Sequence, residues 1–246
     1  MLSLTPKTLL ASQILAHLSL VWMIFYGTPL MWAITVFVYF LNGCLGMTMT
    51  YHRLLSHKAW NPPKWIEYTF AYLAGIGLTG SAISWVSIHR KHHRYTDKSE
   101  DPHSPKYKGW FYCHFLSMFS NVDAKYAVDL LRQDFYTKQH RYYFLMATVW
   151  GLSVSVVFWD PYALIYAWLA PAAILWNAGS TIVSYSHRKG TVFNDTWLGI
   201  LVWGEGYHAN HHDKPGSARF GKYDLGGILI EFFKKWNKPK PLGEVS

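Results

Sequence analysis

Two long stretches of this chain carry almost no charge. From Thr8 to His52 there is no Asp, Glu, Lys or Arg, and from Tyr142 to His187 the only one is Asp160. Each block is about 45 residues long, whereas a single helix needs roughly 20 apolar residues to cross the hydrocarbon core of a bilayer. Each block therefore has room for two crossings with a turn between them. The turns are visible at Gly27-Thr-Pro29 and at Asp160-Pro161. The pattern predicts an all-α integral membrane protein with four transmembrane helices in two hairpins, near residues 8–26, 30–51, 142–158 and 162–184, in one domain covering 1–246.

All 23 Lys and Arg residues lie outside the two blocks, so neither hairpin turn is positive. By the positive-inside rule both turns face outward, while both termini and the segments 52–141 and 185–246 are expected on the cytoplasmic side, as a helical cap. The net charge of +9 follows from this asymmetry and from attraction to anionic lipid headgroups. A nucleic-acid partner is accordingly not expected. The stretch Tyr68 to Ile88 is apolar enough to suggest a fifth span, but Gly75, Gly77 and Gly80 make it a poor one, and an interfacial or partly re-entrant helix is expected instead. Trp22, Tyr26, Trp32 and Trp159 are expected near the external surface as part of an aromatic belt. The first block opens like a signal peptide yet lacks a small-residue cleavage site, so an uncleaved anchor is expected. Cys44 and Cys113 form neither a disulfide framework nor a zinc pattern. The tail Lys234 to Ser246, with Pro239 and Pro241, is expected to be mobile.

Histidine carries the chemistry. The run His89-Arg-Lys-His92-His93 and the run His208-Ala-Asn-His211-His212 share an HxxHH spacing. On a helix, steps of three and four fall on one face, which predicts three imidazoles per run aimed at one point. With thirteen histidines in the chain, one such run arises by chance in about 4% of comparable sequences and two in fewer than about one in a thousand. His52 and His57 stand five apart, about 140° around an α-helix, and are expected to serve different metals or to straddle a helix end. His187 stands at the end of the second block. Nine imidazoles exceed what a single ion accepts, and imidazole alone suits Zn, Cu, Fe and Ni. Metal-bound histidines usually pass their other N–H to a carboxylate. Asp97, Asp101 and Asp213 suit either that role or a solvated surface, whereas Glu205, immediately before the third box, favours the supporting role. His17, alone in an apolar helix, is expected to pack or to bond between helices rather than to ligate, and His140 is expected to be an interfacial polar residue.

The boxes His52-Arg-Leu-Leu-Ser-His57, His89-Arg-Lys-His92-His93 and Gly204-Glu-Gly-Tyr-His208-Ala-Asn-His211-His212, with Asp101-Pro-His-Ser104 and Gly109-Trp-Phe-Tyr-Cys-His114 between them, resemble the membrane fatty-acid desaturases of the stearoyl-CoA and acyl-lipid delta-9 type. The resemblance runs from about Met47 to Arg219. It implies a diiron enzyme, with two Fe2+ ions and dioxygen as co-substrate, that introduces a cis double bond, usually delta-9, into a saturated acyl chain. It also implies a ligand set of His52, His57, His89, His92, His93, His187, His208, His211 and His212, with His103 and His114 in the pattern but outside that set. One departure concerns Val183, where such enzymes usually carry an asparagine that reaches a metal through water; Asn177, further back, is the other candidate. Ser87-Ile88 before His89 is closer to plant and cyanobacterial relatives than to animal acyl-CoA enzymes, and the carrier, CoA or membrane lipid, stays open. No cytochrome b5 or ferredoxin segment is recognisable, so a separate donor is expected: ferredoxin, rubredoxin, or cytochrome b5 with its reductase. The expected location is a bacterial cytoplasmic membrane. The alternatives are a hydroxylase or other oxygenase of the same diiron superfamily and a histidine-rich metal transporter, although transport sites lie near the bilayer midplane and these histidines stand at helix ends.

Overall fold

The computed structural model describes residues 6–236, the side chain of Lys189 excepted, and within them every regular element is helical. Helix α1 (Pro6–Tyr26) is followed after a two-residue break by α2, which starts at Pro29. Thr28 stops one helix and starts the next. Its Oγ1 accepts from Met31 N at 3.3 Å, and Pro29 sits in the first turn, where its missing N–H costs nothing. From Leu41 to Ser56 α2 widens into a π-helix, so that one continuous rod of 28 residues, Pro29–Ser56, carries the first histidine box at its far end.

The stretch Tyr68 to Ile88 is not one span. It is split between α3 (Lys64–Ile76) and α4 (Ala82–Tyr95), each roughly 20 Å long at 1.5 Å per residue. The reversal between them uses Leu78 and Gly80, both with positive φ (58° and 103°), and Ser81 caps α4 by accepting from Ser84 N. Gln139, on α5 (Asp134–Arg141), pins this fold-back. It donates to Tyr51 Oη and to the Ala71 carbonyl, both at 2.8 Å, and accepts from Ala82 N at 3.0 Å. Helix α3 lies so close to the π-helical part of α2 that a Cβ on Gly46 would sit 2.5 Å from Ala74 N.

The second apolar block forms α6 (Tyr143–Val157) and α7 (Ala170–Ser186), the latter entered through a π turn at Ile165–Leu169. Helix α1 packs against α7, and Thr35 of α2 donates to the Tyr166 carbonyl at 2.7 Å. Four helices thus stand where four spans are expected, but among the described residues only α1 and Pro29–Ser56 are both long and apolar enough to cross a membrane. Helix α6, at 15 residues, extends only about 22 Å, and α7 has its first turns wound differently from the rest. Leu10, Ile14, Leu18 and Val21 of α1, and Leu145, Val149, Leu152 and Val156 of α6, form exposed outward rows among the described residues. At the hairpin ends Trp22 stacks on Tyr162 at 5.5 Å, while Tyr26 and Trp159 are exposed. The described residues close with the short helices α8 (Thr196–Leu201) and α9 (His208–Asp213), then α10 (Leu225–Trp236), which absorbs the first residues of the expected mobile tail. Pro239 and Pro241 lie outside the described residues.

Candidate metal centre

The nine histidines come from four places: the end of α2 (His52, His57), α4 (His89, His92, His93), the end of α7 (His187) and α9 (His208, His211, His212). They converge into two adjoining sets. His52, His57, His89, His93 and His211 form one, and His92, His187, His208 and His212 the other, with one ring nitrogen per residue lying within 4.8 Å of its fellows in each set. The sets touch where the His93 and His212 rings stack at 4.5 Å.

One expectation is corrected here. The three rings of an HxxHH run do not aim at one point: His89 and His93 join one set while His92 joins the other, and in α9 His208 and His212 part from His211. Residues three and four apart share a face but flank its midline, so a helix lying between two sites feeds both. His52 and His57 do not serve different sets; they straddle a helix end, the other arrangement expected of them, His57 being the C-cap of the helical run that contains His52, and their rings lie 5.1 Å apart in one set. The π-helical winding of Leu41–Ser56, with its i→i+5 bonding, brings residues five apart toward one face, which an α-helix would not.

Inside the sets the contacts are between Nε2 atoms. His52 meets His211 at 3.0 Å, His57 meets His89 at 2.8 Å and His93 meets His211 at 2.8 Å; His187 meets His208 at 2.9 Å, His208 meets His212 at 3.2 Å and His92 meets His212 at 3.3 Å. The outward nitrogens of three rings donate to carboxylates. His52 Nδ1 reaches Glu205 Oε2 at 2.7 Å, His92 Nδ1 reaches Asp101 Oδ2 at 2.9 Å, and His187 Nδ1 reaches Asp97 Oδ2 at 3.2 Å. Asp101 is itself held by Asp97 N and His103 N, and Asp97 by the Ser104 hydroxyl, which accounts for the Asp-Pro-His-Ser motif. Asp213 is exposed and supports no histidine.

Burial, followed by the charge of neighbouring imidazoles, pushes His57 down to about 2 and His212 to about 3, and holds His89, His92, His93, His208 and His211 below the ordinary histidine range. These rings are neutral at physiological pH. Burial alone would raise Glu205, but the His52 and Arg53 charges outweigh it and keep the carboxyl below its usual range. Burial likewise opposes the ionisation of Asp97, and hydrogen bonds from His187 and Ser104 overcome it.

The donor set fits metal ions. With protons fixed on Nδ1 of His52, His92 and His187, their Nε2 lone pairs point inward at other Nε2 atoms, a repulsive arrangement that a cation relieves. Two nitrogens bound at ~2.1 Å to one ion and at right angles lie ~3.0 Å apart, which is the spacing seen here. Nδ1 of His208 and of His211 is buried without a partner.

The family model described as fatty acid desaturase matches residues 29–223, which contain all nine histidines. The chain belongs to the fatty acid desaturase family. Among its relatives are the sn-2 palmitoyl-lipid 9-desaturase of Nostoc sp. (strain 36), 35% identical over 205 residues, covering 76% of this chain and 71% of that protein, and the delta-9 acyl-lipid desaturase 2 of Arabidopsis thaliana, 35% identical over 225 residues, covering 80% and 70%. The chloroplastic palmitoyl-monogalactosyldiacylglycerol delta-7 desaturase of Arabidopsis thaliana is 34% identical over 228 residues, covering 80% of this chain and 58% of that protein.

In this desaturase an apolar cavity runs alongside both sets. His52, His89, His92 and His208 stand in its wall, and Tyr39, Met47, Leu175, Trp176, Ile182 and Trp203 line the remainder. Val183 also lines it and offers no polar atom. Asn177 does not take over, because its Nδ2 bonds His17 Nε2 at 2.9 Å and the Ala173 carbonyl at 2.8 Å. His17 thereby links α1 to α7. His103 packs 4.3 Å from His92, His114 bonds Ser184 and His140 bonds Ser81. Sequence reasoning missed Trp85, which stacks on His89 at 4.8 Å, and the buried pair Arg53 and Asp224, 2.9 Å apart. No sequence signal marks the latter, because an arginine just beyond an apolar block ordinarily reads as an interfacial residue facing water.

Proposed function

We propose that this protein is a membrane fatty acyl desaturase that holds two Fe2+ ions, one in each histidine set, and inserts a cis double bond into a saturated acyl chain. The observation that carries this reading is the convergence of nine inward Nε2 atoms beside an apolar cavity. When bound, the iron pair would supply the reduction of dioxygen and the removal of hydrogen from an unactivated carbon chain. In sum, two hydrogens leave the chain, two electrons and two protons come from outside, and one dioxygen becomes two waters.

The chain's own residues do the positioning. The carboxylates of Glu205, Asp101 and Asp97 fix the ring orientation and tautomer of His52, His92 and His187. Met47, Leu175 and Ile182 exclude water and hold a methylene chain past the histidine wall, so geometry rather than a recognised functional group selects the carbon. The names of the relatives and the Ser87-Ile88 pair before His89 favour a lipid-linked chain and the delta-9 position over acyl-CoA. Two electrons arrive from a separate donor of the ferredoxin, rubredoxin or cytochrome b5 class, docking on the cytoplasmic face.

The outward apolar rows of α1 and α6 support four crossings within a single domain, since each large side chain left in water forfeits roughly 1.5–3 kcal/mol. Helix α6 is short for a span, which local thinning of the bilayer accommodates. Both termini and all nine histidines then face the cytoplasm of a bacterial host. The test is expression in a host lacking unsaturated fatty acids, followed by double-bond mapping in each lipid class. Unsaturated chains of unchanged oxygen content support the reading, and hydroxylated saturated chains would replace it with the oxygenase alternative.

A further inference from the structure

Arg53 and Asp224 are fully buried, and the function described above does not use them. Arg53 follows His52 in the π-helical part of α2. Its Nη1 donates to Asp224 Oδ2 at 2.9 Å and to the Ala218 carbonyl at 2.7 Å, and its Nη2 donates to Glu205 Oε1 at 3.2 Å. The other oxygen of Glu205 receives His52 Nδ1. Asp224, at the start of α10, is clamped in turn by Phe220 N at 2.7 Å and Gly227 N at 2.8 Å. Gly204, beside Glu205, has φ +105°, and a Cβ there would overlap the Asp224 carboxylate. The guanidinium lies 4.1 Å over the Phe220 ring, and that ring packs 4.7 Å from His211. Every ligand candidate reached by this network, His52 and His211, belongs to the five-histidine set.

A guanidinium beside one carboxylate prefers the two-pronged arrangement that uses both oxygens. Left alone with Glu205, Arg53 would compete for Oε2 and draw it from His52. Asp224 occupies the other end of the guanidinium, which leaves Glu205 one oxygen for Arg53 and one for His52. We propose that Arg53 and Asp224 are positioning residues for the five-histidine metal site, and that through them the C-terminal helix α10 controls occupancy of that site alone. This inference rests on the two-metal reading above. The four-histidine set has its own supports, Asp101 and Asp97, with no path through Arg53.

The test is an anaerobic titration of the metal-free full-length protein in lipid nanodiscs with Co2+, followed by absorption, with each set's bands assigned from His57→Ala and His187→Ala. Wild type is expected to take two ions. Asp224→Asn should bind at the four-histidine set as wild type does and at the five-histidine set about 10–100-fold more weakly, with Asp224→Glu partly restoring the second ion. Arg53→Lys, which keeps the charge but cannot bridge two carboxylates, should show the same one-sided loss and guards against a folding defect in the first variant. Unchanged binding at both sets, or equal loss at both, overturns the inference. A wild-type chain that takes up no metal would instead overturn the two-metal reading.

Discussion

His52 Nδ1 and Glu205 Oε2 lie 2.7 Å apart, joining the end of the second helix to the residue three before the last histidine box. The contact sets the His52 tautomer, so that Nε2 presents its lone pair to the interior of the five-histidine set. Glu205→Gln, which can accept the same bond only as a weaker, neutral partner, is expected to lower metal affinity and turnover about 10–100-fold while leaving the fold intact. Elemental analysis of the purified variant alongside desaturation assays checks both halves.

His92 and His208 belong to the four-histidine set although each sits in a different box. Replacing either with Ala should reduce desaturation to background and lower the metal content by about one ion per chain, whereas His57→Ala should deplete the other set. Full activity in any of the three would contradict the shared centre.

Metal removal should destabilise the protein as well as silence it, because the Nε2 approaches of 2.8–3.3 Å hold neutral lone pairs face to face. Free metal at a hundred times its dissociation constant adds about 2.7 kcal/mol per site. Thermal unfolding in micelles should shift downward on chelation and recover when Fe2+ is restored under anaerobic conditions; a chelated protein that melts at the same temperature would speak against both sites.

Gly46 gives a test of the scaffold away from the histidines. A Cβ there would press on the Ala74 backbone, so Gly46→Ala is expected to cost about 1–3 kcal/mol by forcing α3 away from α2. Unfolding midpoints measured in the same detergent report it, and an unchanged midpoint would mean that the two helices can separate without strain.

Much of this arrangement is legible in the residues themselves. The charge-free blocks mark four apolar helices, two of them long enough to cross a membrane, and the short spacing of His89, His92, His93 and of His208, His211, His212 marks ligand candidates, because imidazole lone pairs in such density have few other uses. The sorting into five and four is not legible, since it depends on where α4 and α9 lie relative to two centres rather than on their own periodicity. The placement of His57 with His52 depends on π-helical winding, for which an α-helical wheel gives the wrong face. Arg53 and Asp224 escape notice because their pairing joins distant segments through the tertiary fold. Asp101 and Asp97, by contrast, sit close enough to their box to be suspected, and Asp213 sits equally close yet faces away.

In the proposed reading all nine imidazoles hold one pair of iron ions. Its most direct test is the iron count on protein purified anaerobically from iron-replete membranes. Two irons per chain are expected, falling to one in His57→Ala and in His187→Ala separately; a single iron per chain in the unaltered protein, or none, would contradict the account.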